Sequence, residues 1–111
     1  MRPHPLSGER VLIESGAPDV APLVVTGRLF VALFAIELEY GEVLPYTCGE
    51  RSAVNNAAVG GLANSKHLTA DAVDVRTRDM TAGQVNLLCQ LAHKHGLQFQ
   101  NEGTHLHLEV G

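Results

Sequence analysis

Residues 105–110 read His-Leu-His-Leu-Glu-Val. This alternation of polar and apolar side chains predicts a half-buried strand, because successive side chains of a strand point to opposite faces of its sheet. Leu106 and Leu108 are expected to face the core, and His105 and His107 to project together from the other face. The pattern therefore predicts two imidazoles side by side, although ordinary exposed polar alternation has the same pattern.

The other predicted elements alternate between helices and strands. Pro45 demotes one strand to an edge or a bend, and Gly60-Gly61 begins a loop that runs through Asn64. This order predicts an α+β fold with a small, mainly antiparallel sheet and helices packed on it. The predicted strands are Arg10–Glu14, Glu42–Cys48, Asp71–Val75, Leu97–Gln100 and His105–Val110, and the predicted helices are Thr26–Tyr40, Arg51–Ala58 and Thr81–His95.

The two longer helices have recognisable ends. The first opens at Thr26 and closes at Gly41, and the second opens with a capping-box pattern from Thr81 to Gln84 and stops at Gly96. Apolar residues lie nearly all round the first helix, so we expect it to be largely buried. These residues are Leu29, Phe30, Val31, Leu33, Phe34, Ile36 and Leu38.

Length, charge and hydropathy narrow the class of protein. A chain of 111 residues with 45% hydrophobic residues predicts one domain, residues 1–111, with residues 1–22 as an N-terminal arm over its core. Eight scattered Lys and Arg residues and a net charge of −4 argue against nucleic-acid or anionic-lipid partners. The longest apolar run, Leu29–Ile36, is too short to span a membrane. Residues 1–5 lead into no apolar signal core, so we expect no secretory signal.

The two cysteines, Cys48 and Cys89, are not spaced as a metal-binding pair. We expect buried and unreactive thiols, with a catalytic Cys-His pair as the alternative. His93 and His95 fall in the last turn of the second long helix, where a cation interacts favourably with the helix dipole.

Three other side chains have the character of metal ligands: His67, Asp74 and His107. A turn between His67 and Asp74 can bring both donors to one point. Two imidazoles and one carboxylate suit Zn²⁺, and three protein ligands leave the fourth position for water. Such a site acidifies water and polarises a carbonyl, which indicates hydrolysis rather than a structural role. Taken alone, Asp74 could instead cap a helix or form a salt bridge.

Residues 48–76 carry a longer motif around these ligands. They resemble the zinc D-Ala-D-Ala carboxypeptidase-like family of peptidoglycan peptidases, many of which are phage lysins. That family shows Ser-x-His-x-x-Gly-x-Ala-x-Asp, preceded by an arginine, an asparagine and a Gly-Gly turn and completed by a histidine near the chain end. The resemblance covers about residues 45–110. The matching positions are Ser65, His67, Ala72, Asp74 and His107, with Arg51, Asn56, Gly60 and Gly61 upstream.

The resemblance implies a fold like that of hedgehog proteins and D-Ala-D-Ala peptidases, and a peptidoglycan stem peptide as the substrate. The bond cut would be D-Ala-D-Ala, as in a carboxypeptidase, or L-Ala-D-Glu, as in an endopeptidase. His67, Asp74 and His107 would hold Zn²⁺. The other implied roles are binding of the scissile carbonyl or carboxylate by Arg51, a hydrogen bond near the substrate by Ser65, and oxyanion stabilisation or ligand orientation by His105.

Three positions depart from the family pattern. Ala70 stands where the motif has glycine, and Cys48–Arg51 reads Cys-Gly-Glu-Arg where the family has Ser-Gly-Tyr-Arg. Thr104 stands where the family places the acidic general base, three residues before the last ligand. Loss of a general base lowers the rate by about 10²–10⁴-fold. Glu102 is the preferred substitute, although a solvated turn residue is the plainer interpretation of it. Glu109 is the other candidate, and a solvated or supporting carboxylate is its plainer interpretation.

Two alternatives therefore stand beside a zinc peptidase. Thr104 motivates a zinc-binding domain that has lost catalysis and serves as a cell-wall-binding or virion module. A metal-free α+β interaction domain is the weaker alternative. The expected lack of a signal fits a phage or prophage product that is made in the cytoplasm and acts at the cell wall. The bond cut and the oligomeric state are left open by the sequence.

Overall fold

A computed structural model describes residues 8–61 and 65–111 of the chain. Residues 1–7 of the predicted arm and residues 62–64 of the predicted loop lie outside these ranges. The described residues form two antiparallel sheets with helices packed on them, which confirms the α+β prediction. The elements are β1 (Arg10–Ile13), β2 (Leu23–Thr26), α1 (Gly27–Tyr40), β3 (Tyr46–Cys48), α2 (Ala53–Ala58), a 3₁₀ helix (Lys66–Thr69), β4 (Ala72–Arg76), α3 (Ala82–Lys94), β5 (Leu97–Asn101) and β6 (His105–Val110).

The larger sheet has the strand order β3-β4-β6-β5, with every neighbour antiparallel. Its register separates a core face from a site face. Val73 lies opposite Leu108 and Val75 opposite Leu106, and all four side chains are fully buried. Between these pairs, Asp74 lies opposite a histidine of β6 on the other face. The alternation predicted for residues 105–110 is confirmed.

Helices α1 and α3 cover the core face. Both helix starts are capped as predicted: the Thr26 hydroxyl accepts a hydrogen bond from the Leu29 amide, and Thr81 and Gln84 form a reciprocal capping box. Gly41 ends α1 with a φ of 94°, a conformation that glycine adopts without strain. The described core contains Leu29, Leu33, Ile36, Leu88, Leu91, Leu106 and Leu108.

The expectation that α1 is largely buried is wrong. Phe34 is 53% exposed and Leu38 is 69% exposed, whereas Leu33 and Ile36 are buried. The helix packs against α3, against β1 and β2 of the hairpin and against β6, while Phe34 and Leu38 stay largely exposed. Apolar residues lie on nearly every side of α1, but only a single layer of helices lies on this side of the domain. The helix is therefore not packed on every side.

The N-terminal region contributes a hairpin to the core. Strand β1 matches the predicted strand to within one residue, and it pairs with β2, which the sequence did not predict. Ile13 and Val25 bring this hairpin into the hydrophobic core. Pro45 directly precedes β3, which lies at the edge of the larger sheet as expected, although the strand is shorter than predicted. Within the described ranges, every helix is too short or too polar to cross a lipid bilayer.

A partly buried ion pair joins the start of α1 to the residue before β4. Arg28 donates two hydrogen bonds to Asp71, at 2.8 Å from Nε to Oδ1 and 2.7 Å from Nη2 to Oδ2. The Thr26 hydroxyl donates a third, at 2.7 Å. Burial alone would raise the pKa of Asp71, but these donors lower it, so the carboxylate stays charged. The pair fixes the chain just ahead of the strand that carries Asp74.

Ala70, the residue that replaces the glycine of the motif, ends the 3₁₀ helix. It adopts a left-handed conformation with φ 64° and ψ 16°. This conformation costs a residue with a Cβ atom about 1–2 kcal/mol, which glycine does not incur. The departure from the motif is therefore a strained position directly before β4.

We expect Ala70→Gly to change the free energy of unfolding less than Ala72→Gly. Both alanines are fully buried, so each change removes about one methyl group, worth about 0.8 kcal/mol. At Ala70 the relief of the left-handed conformation offsets this loss, whereas Ala72 lies in β4, where glycine is unfavourable. Denaturant unfolding of both variants measures the difference. Equal destabilisation would show that Ala70 is not strained.

Candidate metal centre

A row of four side chains crosses the site face of the larger sheet. The register places Cys48 of β3 opposite Asp74 of β4, Asp74 opposite His107 of β6, and His107 opposite Gln100 of β5. Directly opposed residues in antiparallel strands project from the same face. Asp74 therefore has a potential metal donor on each side.

A β-bulge decides which way Cys48 points. The pairing of β3 with β4 shifts between Tyr46 and Cys48, so that Tyr46 pairs with Val75 and Cys48 pairs with the very next residue of β4, Asp74. Without the shift, Cys48 would share the core face with Tyr46, which is almost completely buried. The bulge turns the thiol to the site face.

The 3₁₀ helix supplies His67. The Ser65 hydroxyl accepts a hydrogen bond from the His67 amide at 3.2 Å, which begins this helix. The His67 ring is buried, with Nδ1 2.8 Å from the Gly49 carbonyl oxygen and Nε2 3.3 Å from Asp74 Oδ1. A carbonyl oxygen only accepts, so Nδ1 donates to it and Nε2 is the nitrogen directed at the carboxylate.

His107 approaches the same carboxylate oxygen from β6. Its Nδ1 lies 3.1 Å from Asp74 Oδ1, and its Nε2 lies 3.0 Å from Glu109 Oε1. The rings of His67 and His107 meet edge to face, with centroids 5.1 Å apart. Because the Glu109 carboxylate accepts from Nε2, Nδ1 is the nitrogen available for a ligand.

Two imidazole nitrogens thus face one carboxylate oxygen, and all three atoms carry lone pairs. Such an arrangement is favourable only when protons or a cation lie between the atoms. Burial alone would lower the pKa of His67, but the hydrogen bond to Asp74 raises it to about 10. The same carboxylate raises the pKa of His107. Burial alone would raise the pKa of Asp74, but the two histidines lower it. The imidazole of His67 is therefore expected to be protonated at neutral pH when no metal is bound.

Cys48 belongs to this cluster, which the sequence did not predict. One donor atom from each of Cys48, His67 and Asp74 lies within 4.8 Å of the other two. The Cys48 sulfur lies 3.7 Å from His67 Nδ1 and accepts a hydrogen bond from Arg51 Nη2 at 3.3 Å. Burial alone would raise the pKa of this thiol, but His67 and Arg51 lower it. The described donors are therefore a sulfur, two imidazoles and a carboxylate.

The two histidines and Asp74 of this cluster line an open cleft of about 680 Å³. All seven residues predicted for the site line this cleft, although they come from five separate segments of the chain. They are Arg51, Ser65, His67, Asp74, Glu102, His105 and His107. The structure brings these residues together, and their individual roles stay predictions.

Arg51 is fixed at one wall of the cleft. Its Nη1 donates to Asn56 Oδ1 at 2.9 Å, and its Nη2 lies 3.8 Å from Asp74 Oδ2. The sequence predicts a helix that begins at Arg51. In the structure this helix begins at Ala53, with Ser52 as its N-cap. Gly61 passes so close that a Cβ atom there would lie 2.1 Å from Asn56 Oδ1. The Gly-Gly turn of the motif therefore leaves space for the Arg51–Asn56 pair.

The two acidic candidates for the general base, Glu102 and Glu109, also line the cleft. Glu102 Oε2 lies 3.5 Å from His105 Nε2, and the exposed Thr104 hydroxyl lies 3.2 Å from His105 Nδ1. Glu109 is instead engaged with His107. This contact agrees with the reading of Glu109 as a supporting carboxylate and leaves Glu102 as the candidate base.

Comparison with known proteins identifies the family. A family model described as Peptidase M15 matches residues 9–109, so the match begins well before the segment in which the resemblance was recognised. A search of curated proteins and a search of solved structures each gave no match. The chain belongs to the peptidase M15 family, whose members are zinc D-Ala-D-Ala carboxypeptidase-like peptidases.

Proposed function

We propose that this chain is a zinc-dependent peptidase that hydrolyses an amide bond in a peptidoglycan stem peptide, of the D-Ala-D-Ala or the L-Ala-D-Glu type. One observation carries the proposal: His67 Nε2 and His107 Nδ1 converge on Asp74 Oδ1 in an open cleft. Membership of the peptidase M15 family supports it. We also propose that the protein is a phage or prophage product that acts at the cell wall.

The donor set fits Zn²⁺. Nitrogen and oxygen ligands lie about 2.0–2.1 Å from zinc, so two ligands of a tetrahedral ion are about 3.3–3.4 Å apart. The two nitrogens lie 3.3 Å and 3.1 Å from Asp74 Oδ1, close to this spacing. Gly49 and Glu109 accept from the outer nitrogens of the two rings, as supporting groups of zinc sites do. Zinc bound here supplies Lewis acidity, which polarises the scissile carbonyl and acidifies water.

Arg51 and Ser65 bind and orient the substrate. The planar guanidinium of Arg51 suits a substrate carbonyl or carboxylate, and its contact with Asn56 holds it in place before the substrate arrives. The Ser65 hydroxyl accepts from the His67 amide, so its own proton is available to the substrate. Both residues line the cleft.

Glu102 transfers a proton, and His105 stabilises the negative charge that develops on the substrate. Glu102 takes a proton from the attacking water and delivers it to the leaving amine, since the hydroxyl of Thr104 cannot act as a base at neutral pH. His105, 3.5 Å from Glu102, stabilises negative charge on the substrate oxygen. The contact of Glu109 with His107 is a further reason to assign the proton transfer to Glu102.

A second function is favoured by Thr104. Its side chain offers a hydroxyl, hydrogen-bonded to His105, where the family has an acid. A zinc-binding module that no longer hydrolyses peptides, and that binds the cell wall or forms part of a virion, would have this change. It predicts zinc binding without turnover.

We expect Glu102→Gln to lower the rate of stem-peptide cleavage by about 10²–10⁴-fold without loss of zinc, because a proton acceptor is removed and no ligand is changed. Mass spectrometry of digested peptidoglycan measures the cleavage. Glu109→Gln is the matched control, expected to weaken zinc binding by about 10–100-fold instead. An unchanged rate in Glu102→Gln would exclude Glu102 as the base.

Thr104→Asp separates the two proposed functions. If the zinc-loaded wild-type protein cleaves no cell-wall peptide and Thr104→Asp does, the catalytic machinery is intact but lacks its base, and the binding module is the correct function. A peptidase predicts measurable cleavage by the wild-type protein.

Zinc binding is expected to release at least one proton at pH 7, because Asp74 raises the pKa of His67 to about 10 and a proton on that imidazole must leave before it binds a metal. The apparent zinc affinity should therefore rise with pH from neutrality toward pH 10. Titration calorimetry in two buffers that differ in ionisation enthalpy counts the protons. Zinc binding without proton release would contradict this electrostatic picture.

A further inference from the structure

We propose that Cys48 is a fourth protein ligand of the metal, which completes a set of one sulfur, two imidazoles and one carboxylate. The proposal rests on the metal site proposed above. The motif accounts for the imidazoles and the carboxylate only, since the family has serine at the position of Cys48.

The backbone positions Cys48 as it positions His107. Each residue lies directly opposite Asp74, one on β3 and the other on β6, and the two strands flank β4. The bulge before Cys48 is what places its side chain on this face. The thiol is therefore part of the row that carries the ligands rather than a neighbour from an unrelated loop.

The distances are close to those of a shared ion. Donor atoms of Cys48, His67 and Asp74 all lie within 4.8 Å of one another. A sulfur at about 2.3 Å and a nitrogen at about 2.0 Å from one tetrahedral zinc are about 3.5 Å apart. The sulfur lies 3.7 Å from His67 Nδ1, but that nitrogen donates to the Gly49 carbonyl. A shared ion therefore requires the sulfur to approach Nε2, the nitrogen that faces Asp74.

The charges also favour this ligand set. A thiolate and a carboxylate together neutralise a divalent cation, and both imidazoles bind in the neutral form. Arg51 Nη2 lies 3.3 Å from the Cys48 sulfur and 3.8 Å from Asp74 Oδ2, so a positive charge lies beside both anionic donors. A sulfur ligand selects zinc, cobalt or cadmium over magnesium or calcium.

A fourth protein ligand is compatible with hydrolysis. Closed four-ligand sites are typical of structural zinc, but catalytic zinc can expand to five ligands. His67, Asp74 and His107 line the open cleft, whereas Cys48 is not among its lining residues, so a substrate can reach the metal centre from the cleft side.

Cobalt substitution tests the proposal without reference to activity. A thiolate bound to Co²⁺ gives an intense charge-transfer absorption in the near ultraviolet, and a tetrahedral cobalt site gives weaker visible bands whatever its ligands. We expect both in the Co²⁺-loaded wild-type protein. Cys48→Ser should lose the ultraviolet band and keep the visible bands, and Cys89→Ser, the same change on α3, should keep both.

Zinc affinity provides the second measurement. Loss of a ligand should weaken zinc binding in Cys48→Ser by more than the about 10–100-fold that loss of a supporting contact causes. Competition with a chromophoric chelator measures this change, with Cys89→Ser expected to equal the wild type. Circular dichroism verifies that the Cys48→Ser variant is folded.

Three results would overturn the proposal. Visible cobalt bands without the ultraviolet band in the wild-type protein would show that the metal is held by the histidines and Asp74 alone, and the proposed function would survive. Equal zinc affinity of Cys48→Ser and the wild type would have the same meaning. Absence of all cobalt bands, together with absence of zinc binding, would overturn the metal site itself and the proposed function with it.

Discussion

The approach of two imidazole nitrogens to one oxygen of Asp74 is the constraint on which the rest of the site depends. Three buried or half-buried groups with facing lone pairs repel one another unless a positive charge lies between them. The fold holds them at 3.3 Å and 3.1 Å, and the outer nitrogens of both rings are already engaged by Gly49 and Glu109. This arrangement therefore fits a cation at this point, which is where the proposed zinc would bind.

The hydrophobic core and the candidate metal centre lie on opposite faces of the same pair of strands, β4 and β6. Buried pairs such as Val73 with Leu108 fix the register of β4 against β6, because a slip of one residue would expose them. The same register sets Asp74 opposite His107. The ion pair of Arg28 with Asp71 anchors the chain just before β4. Core mutations that disturb this register would therefore act on the ligands as well.

Much of the fold could be predicted because several of its elements carry strong local sequence patterns. The alternation in residues 105–110 and the capping box at Thr81 identify β6 and α3 directly. Strand β2 was missed because only three apolar residues, Leu23–Val25, precede the helix start, and Thr26 is both the end of that strand and the cap of α1. The burial of α1 was overestimated because an apolar pattern does not reveal how many layers will cover a helix.

Part of the candidate site could likewise be predicted from the sequence, and part could not. The motif and the alternation identified the side chains that line the cleft, since each has a distinctive chemistry at a regular spacing. The Gly49 carbonyl could not be found, because every residue has a carbonyl and only the fold selects one. Cys48 was expected to be inert because the two cysteines are not spaced as a metal-binding pair, and the bulge that turns Cys48 to the site face leaves no mark in the sequence.

Elemental analysis of zinc after exhaustive dialysis tests the central claim most directly, with Asp74→Asn as the comparison. The amide has the shape of the carboxylate but lacks the charge that holds a cation between the imidazoles. We expect one zinc per wild-type chain and almost none in a folded Asp74→Asn variant. No zinc in the wild-type protein, or equal zinc in both, would contradict it.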